Sequence, residues 1–295
     1  MALRLSVFAS RLQLVLFSIA GIAAAGTGHN WKVAYQPAHL VNGSPVLFRI
    51  GAPRHLNGLQ GTWLEHRLTF RFRQSCNCWY AIAGVGLATK PGNYALELEG
   101  ETPGGGKLSF RDDVTIAAGH YPSIALKVAP EFVEPPKETL ARIEQEQAVK
   151  KETFSESLPE SLWHGRFKAP AEAGVSGIFG SARVFNGVKR SQHQGLDFRV
   201  TTGTPVHAAN SGRVILARNL YFEGNCVAID HGQGLMTLYL HLSHFKVKEG
   251  DEVKQGQVLG LSGGTGRATA PHLHFAVRWQ GMYVNPATLL KLTPP

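Results

Sequence analysis

His193, Asp197, His241, His272 and His274, carried by the segments HQGLD, YLHLS and PHLHF, are each of a type that ligates zinc or moves protons. Hydrolysis at a zinc ion needs three protein ligands, one coordination position left for water, and groups that shuttle protons around that water. Five such residues are enough for both tasks. All of them fall in the C-terminal half of the 295-residue chain.

The local geometry follows from strand periodicity. Alternate residues of an extended strand point to one face, so in PHLHF His272 and His274 project together while Leu273 and Phe275 turn to the other side, toward a core. In MTLYLHLS, Met236, Leu238, Leu240 and Leu242 alternate with Thr237, Tyr239, His241 and Ser243, which places His241 on a polar face beside Tyr239. HQGLD is different. Four residues fully extended span roughly 13 Å, too far for His193 and Asp197 to share an ion whose bonds are about 2.0 to 2.2 Å. A helix would put both on one face, but Gly195 and the LDFRV run favour a strand. The chain is therefore expected to bend at Gln194 and Gly195, with His193 on a loop, Asp197 at the start of a strand, and Gly195 present for its backbone freedom.

In this order the segments resemble the LytM/lysostaphin-type zinc metallopeptidases that cut the peptide part of bacterial peptidoglycan. The likeness runs through IFGSARVFNGVKRSQHQGLDFRVTTGTPVHAANSGRV, VAIDHGQGLMTLYLHLS, VKEGDEVKQGQVLGLSGGTGRATAPHLHFAV and VNPATLL, roughly Leu162 to Leu290. It implies one Zn2+ per chain held by His193, Asp197 and His274, with His241 and His272 as catalytic histidines. The implied activity is an exported endopeptidase acting on peptidoglycan cross-links or stem peptides, with a D,D bond as the expected target. Some relatives have lost ligands and act by binding alone. The alternative reading is thus a non-hydrolytic envelope module that binds peptidoglycan or activates a separate amidase, and the five intact positions favour the enzyme.

Other polar motifs weigh less. His207, His231 and His244 are isolated, and a lone histidine is more often a satisfied surface or core residue; His231, in the turn composition DHGQG, is expected to make local hydrogen bonds. Cys76 and Cys78 form a CxC too short for a zinc ribbon and awkward for an ordinary disulfide, so they and Cys226 read as small structural residues, although oxidation of a pair is open outside the cytoplasm. SGGTGRATAPH lacks the GK[ST] ending of a phosphate loop and is expected to bring a flexible loop next to the metal cleft.

The elements that must position the five residues follow from the rest of the chain. A composition of 43% hydrophobic residues with 33 glycines suits strands and turns rather than disorder. Arg4 and Arg11 precede LQLVLFSIAGIAAAG, an apolar run ending in small residues, read as a signal peptide over 1–25; an uncleaved anchor is the alternative. No other segment approaches membrane-spanning length, so the mature chain is expected to lie in the periplasm or cell envelope without a transmembrane span. The formal charge of +9 loses two with the leader and favours anionic partners. No nucleic-acid-binding motif accompanies it, so a polyanionic envelope is the simpler partner.

Over 27–132, VLFRI, RLTFRF, WYAIAGVGL, YALELEG, KLSFRDDVTI and SIALKVA, broken by Gly, Pro and Asn, predict an N-terminal antiparallel β-sandwich. GVGLATKPGNYALELEG followed by ALKVAPEFVEPPKETLARIEQE also resembles the β domain that precedes the peptidase in some members. The stretch 133–160, with KETLARIEQEQAVKKETF after a Pro-Pro pair, predicts a short helical linker with a solvated charged face. Residues 161–295 complete a mainly β chain as an antiparallel β peptidase domain with a metal cleft. A whole domain ahead of a wall hydrolase also raises autoinhibition by that domain. Nothing in the sequence indicates an oligomeric state.

Overall fold

Turn-punctuated apolar runs become strands throughout the computed structural model, which describes residues 30–187 and 189–295. The expected leader, 1–25, lies outside the described residues. The N-terminal half is a sandwich of two sheets. One orders Lys32–Gln36, Pro45–Gly51, Cys78–Gly84 and Arg71–Arg73; the other orders Leu40–Val41, Lys107–Ala117, Gly92–Glu101, Gly58–Trp63 and His66–Thr69. Pairing is antiparallel except where Leu40–Val41 runs parallel to Lys107–Ala117. Between the sheets Phe48 meets Trp63 edge-on at 5.3 Å, and the Trp63 indole N–H donates to the Gly84 carbonyl at 3.0 Å, which removes the cost of burying that donor.

Two expectations for this half are corrected. RLTFRF is not one strand: it breaks after Thr69 and its two parts enter different sheets. Cys76 and Cys78 are joined by a disulfide across a turn in which Asn77 takes φ +46°, a left-handed conformation that Asn tolerates, so the pair is not simply two strand residues.

SIALKVA leaves the sandwich. Its strand Ser123–Leu126 pairs in parallel with Ala182–Phe185, which in turn pairs antiparallel with Lys189–Gln192. A strand from the N-terminal region thus edges a hairpin of the C-terminal half. The helix Lys137–Thr153 follows, with Glu138 in its first turn and Lys150 and Lys151 in its last. Its charged surface is not wholly solvated, since Ile143 is buried and Val149 packs against the C-terminal sheet.

The C-terminal sheet runs in the order Val175–Gly177, Gly195–Phe198, Leu273–Trp279, Leu235–Phe245, Gly224–Asp230, Gly212–Leu220 and Glu252–Val253, with Pro205–His207, Val258–Ser262 and Met282–Val284 beside that path. Among the described residues no helix is long and apolar enough to cross a membrane. The two halves share one hydrophobic core. Trp279, 1% exposed, packs so closely on Gly84 that a Cβ there would lie 3.1 Å from the indole, and Asn285 N–H donates to Gly43 O at 2.7 Å. Because Trp279 fills the seam, Trp279→Ala is expected to cost about 3–5 kcal/mol. Calorimetry should show a single transition in the wild-type chain, and two resolved transitions there would show that the halves are energetically separate.

Candidate metal centre

Asp197 and His274 meet because their strands pair in register: Asp197 faces His274 across the antiparallel ladder between Gly195–Phe198 and Leu273–Trp279. The alternating neighbours Leu196, Phe198, Leu273 and Phe275 are buried on the opposite side. His193 follows the strand Lys189–Gln192 and lies in the connection before Gly195, consistent with the expected bend. Its Nε2 is 3.0 Å from Asp197 Oδ1 and 3.0 Å from His274 Nδ1, and the last two atoms are 2.8 Å apart.

Gly195 serves a purpose other than the expected one. A Cβ at this position would lie 2.4 Å from His274 Nε2 and 2.6 Å from Phe275 O, so the absence of a side chain is what lets the ring sit against the strand. Gly177 is constrained in the same way, since its Cβ would come within 2.3 Å of Asp197 Oδ2.

The donor chemistry fits a cation. His193 Nδ1 lies 2.8 Å from Ile178 O; a carbonyl only accepts, so the proton is on Nδ1 and the Nε2 lone pair faces the cluster. That lone pair meets a carboxylate oxygen and a second ring nitrogen. At most one N–H, on His274 Nδ1, is available among three acceptors. An ion satisfies all of them at once, and His193, Asp197 and His274 are the three ligand-bearing groups that cluster among the described residues. Three protein ligands are the catalytic rather than the structural count.

Electrostatics favour the ligating protonation states. Burial pushes the Asp197 carboxyl up, but the adjoining His193 and His274 rings outweigh it and hold the group well below the usual carboxylate range. Burial lowers His274 to about 4 against the pull of Asp197, so the imidazole stays neutral near pH 7. One residue near the ligands was not anticipated: the Arg183 guanidinium donates to Asp197 Oδ2, leaving Oδ1 for the cluster. Nothing in the local sequence pattern marks Arg183, because only the folding of its strand beside Gly177 and Asp197 gives it a partner.

His241 and His272 flank the cluster, their ring centroids 4.7 Å apart. His272 Nδ1 is 2.8 Å from Ala270 O and its Nε2 is 3.8 Å from Asp197 Oδ1. His241 Nδ1 donates to Thr265 O at 2.8 Å, and burial, then the nearby His272 and His274, lowers its pKa to about 3.

The alternation expected through MTLYLHLS breaks here. Val227 pairs with Tyr239 and Asn225 with Leu242, so three steps on one strand face two on the other, and His241 adopts φ +64° in the resulting bulge. Leu240 and His241 therefore line one cavity together, while Tyr239 turns away to accept the Ala209 N–H at 2.8 Å. The glycine-rich loop is tied down by Thr265 O and by the Arg267 N–H, which donates to Phe222 O at 2.8 Å. His231 plays the expected local role: its Nδ1 is 2.7 Å from Ser211 O, its Nε2 is 2.8 Å from Thr237 Oγ1, and burial lowers its pKa to about 4. Neither His207 nor His244 joins the cluster.

Residues 191–286 match the profile of Peptidase family M23. The chain is 43% identical over 121 residues to peptidoglycan DD-endopeptidase ShyA of Vibrio cholerae, which covers 41% of this chain and 28% of that protein. It is 43% identical over 102 residues to DD-carboxypeptidase/endopeptidase Mpg of Neisseria meningitidis, covering 35% of this chain and 24% of that one. The chain thus spans about a quarter of the length of these curated relatives. A solved Pseudomonas aeruginosa chain assigned to peptidase M23 is similar over a longer stretch, with a TM-score of 0.64 and 29% identity across 85% of this chain and 94% of that one.

Because Arg183 fixes the orientation of Asp197, Arg183→Met is expected to weaken metal binding by about 10- to 100-fold. Zinc titration against a competing chelator measures this, and an unchanged affinity would remove Arg183 from the site.

Proposed function

On the match of residues 191–286 to Peptidase family M23, we propose that the chain is an exported, zinc-dependent endopeptidase of peptidoglycan. Its proposed target is the D,D peptide cross-link or the stem peptide, and its place of action is the periplasm or cell envelope. The observation that carries the reading is the convergence of His193 Nε2, Asp197 Oδ1 and His274 Nδ1 to within 3.0 Å, with two more imidazoles beside them. The relatives named as peptidoglycan DD-endopeptidase and DD-carboxypeptidase/endopeptidase support the substrate class. The basic leader followed by an apolar run supports export.

Zinc held by these three groups supplies a Lewis acid that acidifies a water, from pKa about 15.7 to about 7, and polarises a carbonyl. The protein's own part is proton management and charge stabilisation. His241, protonated on Nδ1 by its bond to Thr265 O and kept neutral by burial, offers a lone pair on Nε2 and acts as the base. His272, whose Nδ1 is fixed by Ala270 O, presents Nε2 toward the same centre and steadies the developing oxyanion or passes a proton to the leaving amine.

We also propose that the N-terminal half keeps the cleft partly covered. Val149 and Phe154 of the linker pack against the apolar cluster that includes Leu238 and Ala276, residues of the same sheet face that presents His274; Phe154 lines the cavity with His193, His241 and His274, and Lys150 pairs with Glu223 beside His241. Removing the covering ring with Phe154→Ala should raise the rate of wall digestion several-fold. A rate equal to or below that of the wild-type chain would end the latency reading.

The peptidase reading itself is tested on purified peptidoglycan, with released peptides identified by mass spectrometry. Digestion should stop with a chelator and return with zinc. His241→Ala and His272→Ala proteins should keep their metal and lose about 10²- to 10⁴-fold in turnover, while His193→Ala should lose both metal and activity. Full activity in either of the first two variants would refute the assignment, and wall binding without any peptide release would favour the non-hydrolytic alternative.

A further inference from the structure

Arg267 has chemistry that neither the metal cluster nor the imidazole pair uses. Its guanidinium sits 4.8 Å from the ring centroid of Phe185 and 4.9 Å from that of Phe222. These two ring contacts engage the positive charge and leave its five N–H donors to find acceptors elsewhere. Among the described residues, no oxygen accepts a hydrogen bond from the Arg267 side chain. The nearby carboxylate, Glu223, pairs with Lys150 through Oε1, and its buried Oε2 has no hydrogen-bond partner among the described residues, so it balances the Arg267 charge at a distance without accepting its N–H groups. A partly desolvated cation short of acceptors is a receptor for an anion.

The position of Arg267 indicates which anion. It lines a cleft of about 350 Å³ shared with Asp197 and His272, so whatever binds there lies alongside the reacting groups. Arg199, exposed at the same cleft, adds positive charge. The apolar part of the lining comes from far away in the chain: Ile124, Leu126 and Val128, brought in by the strand that edges the Ala182–Phe185 hairpin. Cation and hydrocarbon in one cleft suit an aliphatic residue that ends in a carboxylate.

Building on the peptidase reading, we infer that this cleft is a specificity subsite in which Arg267 grips a free carboxylate of the peptide substrate. The 124–128 segment packs on the aliphatic stem of the same substrate residue, so the N-terminal half contributes to substrate choice.

The test compares two synthetic peptides that differ only in a carboxylate replaced by a carboxamide. Binding is measured by titration calorimetry on the zinc-loaded full chain carrying His241→Ala, so that peptide is not consumed. The carboxylate form is expected to bind roughly 10-fold or more tightly, and Arg267→Met should bring the two affinities together. Arg267→Lys, which keeps the charge and loses the planar fork, should retain only part of the preference and serves if the methionine variant misfolds. Equal binding of the two peptides by the parent, or a preference undiminished in either variant, would overturn the subsite. Turnover is scored separately: failure of the His241-intact protein to cleave either peptide counts against the peptidase reading, while the binding preference is read without turnover.

Discussion

Asp197 and His274 face each other across one antiparallel register, and the rest of the centre depends on that pairing. Because the side-chain period of a strand is two, a slip of one residue would turn both groups to the far side of the sheet. The register is held by the residues between them. Leu196, Phe198, Leu273 and Phe275 are each no more than 4% exposed, and a slipped strand would have to bring them toward the polar cleft. The hydrophobic core therefore pins the geometry of the polar site. The glycines at 177 and 195 serve the same end by giving Asp197 and His274 room to lie close to neighbouring backbone.

The histidines are sorted by what their second nitrogen touches. Ile178, Thr265 and Ala270 each offer a carbonyl to the Nδ1 of His193, His241 and His272 respectively, which fixes the tautomer and leaves Nε2 as the working atom in all three. His274 is reversed and presents Nδ1 to the cluster. Burial then keeps the imidazoles of His241 and His274 neutral near pH 7, the state in which a ring nitrogen can ligate a metal or accept a proton. Loop backbone rather than side chains does most of this orienting. Its conformation, including the left-handed bulge at His241, is accordingly as much a part of the site as the side chains are.

Much of this was legible in the chain itself, for reasons specific to each segment. PHLHF has an unambiguous period of two, so the common direction of His272 and His274 follows from the pattern alone. HQGLD could be placed by exclusion, because neither a helix nor an uninterrupted strand suits its spacing. Features that depend on non-local contacts were not legible. The bulge that turns His241 away from Tyr239 arises from pairing with a separate strand, Gly224–Asp230, and MTLYLHLS shows only a clean alternation. Gly195 looked like a hinge because a glycine's steric surroundings do not appear in its neighbours in sequence. Arg183 carries no local mark, since its partner is fourteen residues away and reached only after two strands have folded together. SIALKVA read as one more sandwich strand because its own residues are indifferent to which edge they join.

That last segment changes how the two halves relate. A sandwich connected only by a flexible linker would leave the peptidase face to be shaped by its own loops. Here Ser123–Leu126 is hydrogen-bonded to the hairpin that supplies Arg183, and the helix Lys137–Thr153 then crosses to the other side of the cleft, where Lys150 pairs with Glu223. The segment joining the halves thus touches the metal cleft on two sides, and Trp279 and Gly84 lock the seam behind it. With the core continuous through that seam, the N-terminal half has little freedom to swing away as a rigid body without exposing buried aromatic surface. The helix is likewise tied to the C-terminal sheet, by Val149 and Phe154, by the Lys150–Glu223 pair and by Glu146, which accepts the Tyr221 N–H.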